Sequence, residues 1–102
     1  MTTPRLQVEV RFIPTASGGR EAPIDLTTGS YLPHLTTESG ELLGVAFVES
    51  TPAIVQPGDA AVAAVALMYP DVDYSTLAPG AAFQIVEGSQ VVACGTVLIS
   101  DQ

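Results

Sequence analysis

Lysine is missing from this chain of 102 residues, and positive charge is scarce altogether. Three arginines stand against eleven acidic residues, which gives a net charge of −8. Nucleic-acid affinity comes mainly from Lys and Arg side chains that neutralise phosphates, and anionic membranes attract basic segments. The composition therefore argues against both kinds of partner. We interpret the acidic surface first as a source of solubility.

Cysteine and histidine each occur once, as Cys94 and His34. A lone cysteine excludes an internal disulfide and a cysteine metal cluster, and it fits a reducing, cytoplasmic compartment, where we expect the protein. Because Cys94 lies in an apolar run, we predict that it packs as a small buried hydrophobe. A catalytic triad would need His34, and no nucleophile elbow is present. We therefore expect no enzymatic activity, no cofactor and no metal.

Several targeting and binding motifs are also lacking. No apolar run reaches the roughly 20 residues that cross a bilayer, and the start MTTPRLQ does not resemble a signal peptide. Without lysine there is no G-x-x-x-x-G-K-[ST] phosphate loop, so we expect no GTP binding. Asp71 and Asp73 lack the remaining residues of a calcium loop. Together with Glu38 and Glu41, they are interpreted as solvated turn residues.

What the sequence does contain is a series of short apolar segments separated by Gly and Pro. This spacing favours strands over long helices. Strict alternation predicts one buried face for the first strand, formed by Leu6, Val8, Val10 and Phe12. The same parity rule places Phe83 and Ile85 in the core. The predicted strands cover residues 6–12, 31–37, 42–49, 81–86 and 90–99, with Pro33 fitting an edge or a bulge.

The segment 59–69, DAAVAAVALMY, fits two structures. Asp59 is a good helix N-cap, alanine is the best helix former, and Pro70 would end the helix. Val62 and Val65 favour a strand instead. The residues alone leave both alternatives open.

Six short motifs, in chain order, resemble the C-terminal β-barrel domain (the third domain) of elongation factor Tu and related translation GTPases. They are Val8-Glu9-Val10, Gly18-Gly19-Arg20 before Pro23, Tyr31-Leu32-Pro33-His34, Pro57-Gly58-Asp59, an apolar run ending at Pro70, and a final stretch with Gly80, Phe83, Ile85, Glu87, Gly88, Val92, Gly95 and Val97. The resemblance covers about residues 6–99. It implies an all-β fold, a small closed six-stranded antiparallel Greek-key barrel, and a strand at 59–69. We expect residues 1–102 to form this single domain, with residues 1–4 frayed.

The resemblance also implies a contact surface. In the family, the barrel helps to hold aminoacyl-tRNA through its GGR loop, its Y-R-P-Q strand and its EGG-R turn. Arg20, Glu87 and Gly88 match these motifs, and His34 stands at the position of the Gln. These residues form the candidate contact surface.

Two departures from the family pattern weaken the expected tRNA contact. Gln90 stands where the EGG-R turn has arginine, and Leu32 stands where the Y-R-P-Q strand has arginine. Without these cations we expect the barrel alone to bind tRNA poorly. The sequence therefore favours a non-enzymatic, stand-alone barrel that binds an unidentified protein partner. The alternative is a translation-associated protein with a residual tRNA- or factor-binding surface around Arg20, His34 and Glu87.

Overall fold

The protein folds into a closed antiparallel barrel of six strands, accompanied by a two-stranded sheet. The computed structural model describes residues 4–101. The strands are β1 (Arg5–Phe12), β2 (Ile24–Asp25), β3 (His34–Thr36), β4 (Leu43–Thr51), β5 (Ile54–Val55), β6 (Ala60–Leu67), β7 (Ala82–Glu87) and β8 (Gln90–Asp101), and a short 3-10 turn covers Thr15–Ser17. The predicted fold class is confirmed.

The order of strands around the barrel is β1-β6-β4-β3-β7-β8, and β8 pairs with β1 to close it. Strands distant in sequence are therefore neighbours: β1 lies between β6 and β8. The two-residue strands β2 and β5 pair separately. Closure removes the unpaired strand edges that an open sheet would present.

Alternation along β1 is as predicted. Leu6, Val8, Val10 and Phe12 are buried, and the residues between them are exposed. A two-residue period of this kind places one face of the strand against the core and the other in water.

The segment after Asp59 is a strand, β6, and the helical alternative is wrong. Its burial alternates along most of its length, with Ala61, Ala63 and Val65 facing the core. The strand is paired on both sides, to β1 and to β4. Since these pairings use its backbone groups along both edges, tertiary context overrides the helix preference of alanine.

The core is apolar throughout the described residues, in which no polar or charged side chain is buried. Its aromatic members are Phe12, Phe47, Phe83 and Tyr74, and Phe83 and Ile85 are buried as predicted. Gly95 on β8 lies opposite Phe83 and makes room for its ring: a Cβ there would lie 2.7 Å from the ring and 2.4 Å from the Glu9 carbonyl oxygen.

Both ends of the barrel are closed by connecting segments. At the end where β6 begins, the buried residues are Val55 of β5 and Leu26, which directly follows β2. At the opposite end, the segment after β6 buries Tyr74 and Leu77. The Tyr74 hydroxyl donates to the Gly44 carbonyl at 2.7 Å and so fastens this segment to β4.

Strand β8 contains two irregularities that change which face its residues occupy. Val86 pairs with Val91 whereas Ile85 pairs with Ala93, so Val92 has no partner on β7. A second shift, next to Leu98, interrupts the pairing with β1. Each bulge inserts one residue and reverses the alternation that follows.

The prediction that Cys94 is buried is therefore wrong. The first bulge leaves Val92 and Ala93 both buried, and the next residue, Cys94, faces solvent. Leu98 and Ile99, which lie at the second bulge, are exposed as well.

Two smaller expectations are corrected as well. Strand β3 is shorter than predicted and begins after Pro33, although the carbonyls of Tyr31 and Pro33 still accept hydrogen bonds from Phe47 and Val45 of β4. Fraying was expected for residues 1–4. Residues 1–3 lie outside the described residues, and the Pro4 carbonyl is bonded to the Leu67 amide at 2.9 Å.

Candidate functional site

Arg20 is presented by a compact loop that follows β1. The 3-10 turn at Thr15–Ser17 reverses the chain, and the Gly19 amide donates to the Pro14 carbonyl at 3.0 Å. The Thr15 hydroxyl donates to the Arg20 carbonyl at 2.6 Å, which closes the loop on itself. These bonds within the loop fix the position of the Arg20 backbone.

The Arg20 side chain is paired within the protein. Its guanidinium forms an ion pair with the Glu87 carboxylate, and both side chains are about three-quarters buried. The guanidinium also lies over the Tyr31 ring, with its central carbon 5.7 Å from the ring centroid. Cations within about 6 Å of an aromatic face are attracted to it. Arg20 therefore has two internal partners from different parts of the chain.

Tyr31 links the ion pair to the core. Its hydroxyl donates to the same Glu87 oxygen at 2.5 Å, and its ring packs against Phe47 with centroids 5.5 Å apart. Burial, followed by the hydrogen bond to Glu87, raises the pKa of the Tyr31 hydroxyl far above its usual value. Tyr31 is therefore a neutral donor to Glu87 over the physiological range.

The β7–β8 hairpin is attached to the Arg20 loop by a second contact. Gly88 adopts a positive φ of 61° in the hairpin turn, a conformation that glycine tolerates best. After the turn, the Gln90 side-chain amide donates to the carbonyls of Gly18 at 2.7 Å and Gly19 at 3.3 Å. We refer to Arg20, Tyr31, Glu87 and Gln90 as the loop–hairpin cluster.

The fourth candidate residue, His34, lies beside this cluster without bonding to it. It is exposed on β3, opposite Val86 of β7 and Gly44 of β4. Within residues 4–100, no hydrogen bond or ion pair joins its side chain to Arg20 or Glu87. The structure thus brings Arg20, Glu87 and Gly88 together and leaves His34 one residue further along the β3–β7 ladder.

Sequence reasoning did not find the roles of Tyr31 and Gln90. Both act through contacts between residues far apart in the chain, and the residues next to them in sequence carry no sign of these contacts. The sequence signal for these two residues was their position: Tyr31 lies in the same motif as His34, and Gln90 follows shortly after Glu87.

The other acidic candidates are held in turns. Asp73 accepts a hydrogen bond from the Ser75 amide at 2.9 Å, which lowers the pKa of its carboxyl. Glu41 accepts from the Thr37 and Thr76 hydroxyls, and the bond from Thr37 is the main cause of its lowered pKa. Within the described part of the chain, no three His, Cys, Asp or Glu side chains come together as metal ligands would.

The outer wall of the barrel carries an open groove. It has a volume of about 1210 Å³ and crosses parts of β6, β1, β8 and β7, with the turn at residues 37–39 along one side. Its polar lining includes Glu9, Arg11 and Glu38, and the exposed Cys94 contributes its thiol. We refer to this concavity as the outer groove.

The fold and these two surfaces define the class as a small closed antiparallel β-barrel. No family model matches the chain, and no curated protein is significantly similar to it. Across residues 4–101, no helix is long and apolar enough to span a bilayer.

Proposed function

We propose that this protein is a non-enzymatic barrel that binds another protein, and that it is related to the third domain of elongation factor Tu. The order of the six sequence motifs supports the relationship, together with the closed six-stranded antiparallel barrel. The proposal assigns no cofactor, no GTP and no membrane to the protein.

We favour a protein partner over tRNA because the Arg20 side chain is already paired within the protein. Arg20 is the one cation at the family's contact positions, and it is already bound by Glu87 and Tyr31. A phosphate would have to displace the Glu87 carboxylate and approach a chain of net charge −8. Phosphate contacts usually supply most of the affinity for nucleic acid. This arrangement supports weak tRNA binding.

A translation-associated role is the second candidate. It is favoured by one observation: the Arg20 loop and the β7–β8 hairpin are adjacent, joined by the bonds of Gln90. The family's contact motifs therefore share one surface here as well. In this alternative a tRNA or a translation factor binds across Arg20, His34 and Glu87.

Fluorescence anisotropy with labelled tRNA, measured over a range of salt concentrations, tests the two candidates. The proposal expects no appreciable binding at physiological salt. Low-micromolar affinity with a negative slope of log affinity against log salt would favour the translation role instead.

The protein partner itself is sought by cross-linking in the source cells, followed by reconstitution from purified components. The proposal expects a complex of defined stoichiometry that survives nuclease treatment. Loss of the complex on nuclease treatment would favour the translation-associated role instead.

A further inference from the structure

We propose that the outer groove is the docking site for an extended, lysine- or arginine-rich segment of the partner protein. The inference rests on the proposed protein-binding function and adds to it a surface and a partner chemistry. Its evidence is the size, shape and charge of the groove.

The size of the groove fits a polypeptide segment better than a small molecule. Small-molecule sites usually have volumes of about 300–1,000 Å³ and enclose most of the ligand, whereas this groove reaches about 1210 Å³ and lies open on the barrel wall. A closed barrel offers no free edge to which a partner strand could be added. The occupant is therefore held by the side chains of the wall.

The floor of the groove is formed by short side chains. Ala60, Ala82 and Cys94 are exposed and line it. Small residues at these outward positions leave depth between the neighbouring longer side chains. An extended segment can therefore lie against the strands without displacing them.

One wall of the groove is held in place by hydrogen bonds. Glu41 accepts from the hydroxyls of Thr37 and Thr76, both of which line the groove. This carboxylate ties the 37–39 turn to the segment that closes the end of the barrel. The hydroxyl of Thr96, which also lines the groove, is available to main-chain groups of an occupant.

The charged side chains that line the groove indicate which kind of segment it binds. Glu9 and Glu38 line the groove against a single guanidinium, that of Arg11, and within residues 4–100 none of them forms an ion pair. The chain as a whole carries −8. Electrostatic complementarity between partners favours a cationic segment, and the same charge opposes a second copy of this chain or a nucleic acid.

The test uses a fluorescein-labelled peptide of about nine residues in which lysine alternates with serine. Extended, it spans ~30 Å, comparable to the 27 Å middle dimension of the molecule. Anisotropy is measured with the unmodified protein and with the double variant Glu9→Gln, Glu38→Gln. The matched control is Glu21→Gln, Asp71→Asn, which removes the same charge from exposed positions that do not line the groove.

The expected result is a loss of peptide affinity of about tenfold in the groove variant and about twofold or less in the control. Equal losses in both variants would mean general attraction to an acidic protein and would overturn the proposal. Binding of labelled tRNA in place of the peptide would also overturn it.

Cys94 provides a second, independent readout, because it is the one cysteine of the chain and lies in the groove. Coupling a bulky maleimide to Cys94 should abolish peptide binding. The same label on a Cys94→Ser, Ser17→Cys variant should leave binding intact, since Ser17 is exposed and does not line the groove. Unchanged binding after Cys94 labelling would refute the assignment.

The groove and the proposed function can fail separately. A complex recovered from the source cells that is insensitive to Glu9→Gln, Glu38→Gln places the partner elsewhere and leaves the protein-binding role standing. Absence of any protein complex, together with no peptide binding, rejects both.

Discussion

Tyr31 connects the ion pair of the loop–hairpin cluster to the core. Its hydroxyl bonds to Glu87, its face lies under Arg20, and its ring packs on Phe47. Replacing the tyrosine therefore tests whether the cluster contributes to stability.

The pH dependence of stability should report on Tyr31. The folded-state pKa of Tyr31 is raised above its ordinary value of 10, so the folded protein keeps this proton while the unfolded chain releases it. Its contribution is fully present below about pH 10 and is lost as the pH rises above that value. We expect Tyr31→Phe to flatten the fall in stability above pH 10, measured by thermal unfolding.

Tyr69→Phe serves as the control, since it removes one hydroxyl from an exposed ring. An alkaline stability profile that is identical in the Tyr31→Phe variant and the unmodified protein would contradict the role assigned to Tyr31.

Phe83 is the residue on which the register of β7 can be checked. It is 3% exposed and lies opposite Gly95. We expect Phe83→Ala to lower the free energy of unfolding by roughly 3–5 kcal/mol, through lost burial and the cavity that remains. Urea denaturation measures the change. The exposed neighbour Gln84 provides the control, as Gln84→Ala should cost about 0.5 kcal/mol or less.

At the scale of elements, β8 has the most demanding sequence. It pairs with β7 over residues 90–96 and with β1 over residues 93–101, contains two bulges, and approaches β1 and β7 closely at Gly95. These features set which of its side chains reach the core and which reach the outer groove.

We expect Gly95→Ala to destabilise the barrel by about 1–3 kcal/mol. The added methyl group would lie 2.4 Å from a backbone oxygen on β1, so the strands must move apart. The neighbouring Cys94→Ala change, at an exposed position, should stay within about 0.5 kcal/mol of the unmodified protein. Equal effects of the two substitutions in chemical denaturation would show that the close approach at Gly95 is relaxed in solution.

The buried face of a strand could be predicted from the sequence only where the alternation of residues continued without a bulge. Alternation in β1 identified its buried face directly, because each residue keeps its parity from Leu6 to Phe12. In β8 the parity is changed by bulges, and a bulge depends on the partner strand rather than on the residues that contain it. This is why Cys94 was assigned to the wrong face.

The candidate site was predictable only in outline. The resemblance grouped Arg20, His34, Glu87 and Gly88 as a candidate contact surface. In the structure Arg20 and Glu87 form an ion pair, and within the described part of the chain His34 has no bond to either of them. The ion pair between Arg20 and Glu87 was not predictable, because it joins a side chain of the loop after β1 to one at the end of β7. The two side chains also share contacts with Tyr31.

On the scale of the whole molecule, charge decides which partners can approach. A chain of net charge −8 repels phosphate backbones at long range. Contacts at short range can offset this repulsion only if cations are available, and in the loop–hairpin cluster the one guanidinium is already paired.

Placing cations at the two positions where the elongation factor motifs have arginine should therefore create RNA affinity. We expect Gln90→Arg combined with Leu32→Arg to raise affinity for tRNA and to steepen its salt dependence by about one unit for each new phosphate contact. Anisotropy with labelled tRNA measures both quantities.

The control places two arginines at exposed positions on another part of the surface, as in Leu42→Arg, Ile54→Arg. If this control gains as much affinity as Gln90→Arg, Leu32→Arg, the effect is one of net charge, and the surface carries no remnant of a tRNA site.

The pairing of β1 with β8 has a consequence for the speed of folding. Arg5 and Asp101 are partners in this ladder, so closing the barrel requires the two most distant segments of the described chain to meet. Long-range pairings of this kind slow folding because the chain entropy is lost before the contacts form. A circular permutant in which a short linker joins β8 to β1, and the chain opens at the exposed Asp71, converts that ladder into a local hairpin. It should fold faster than the parent in stopped-flow refolding.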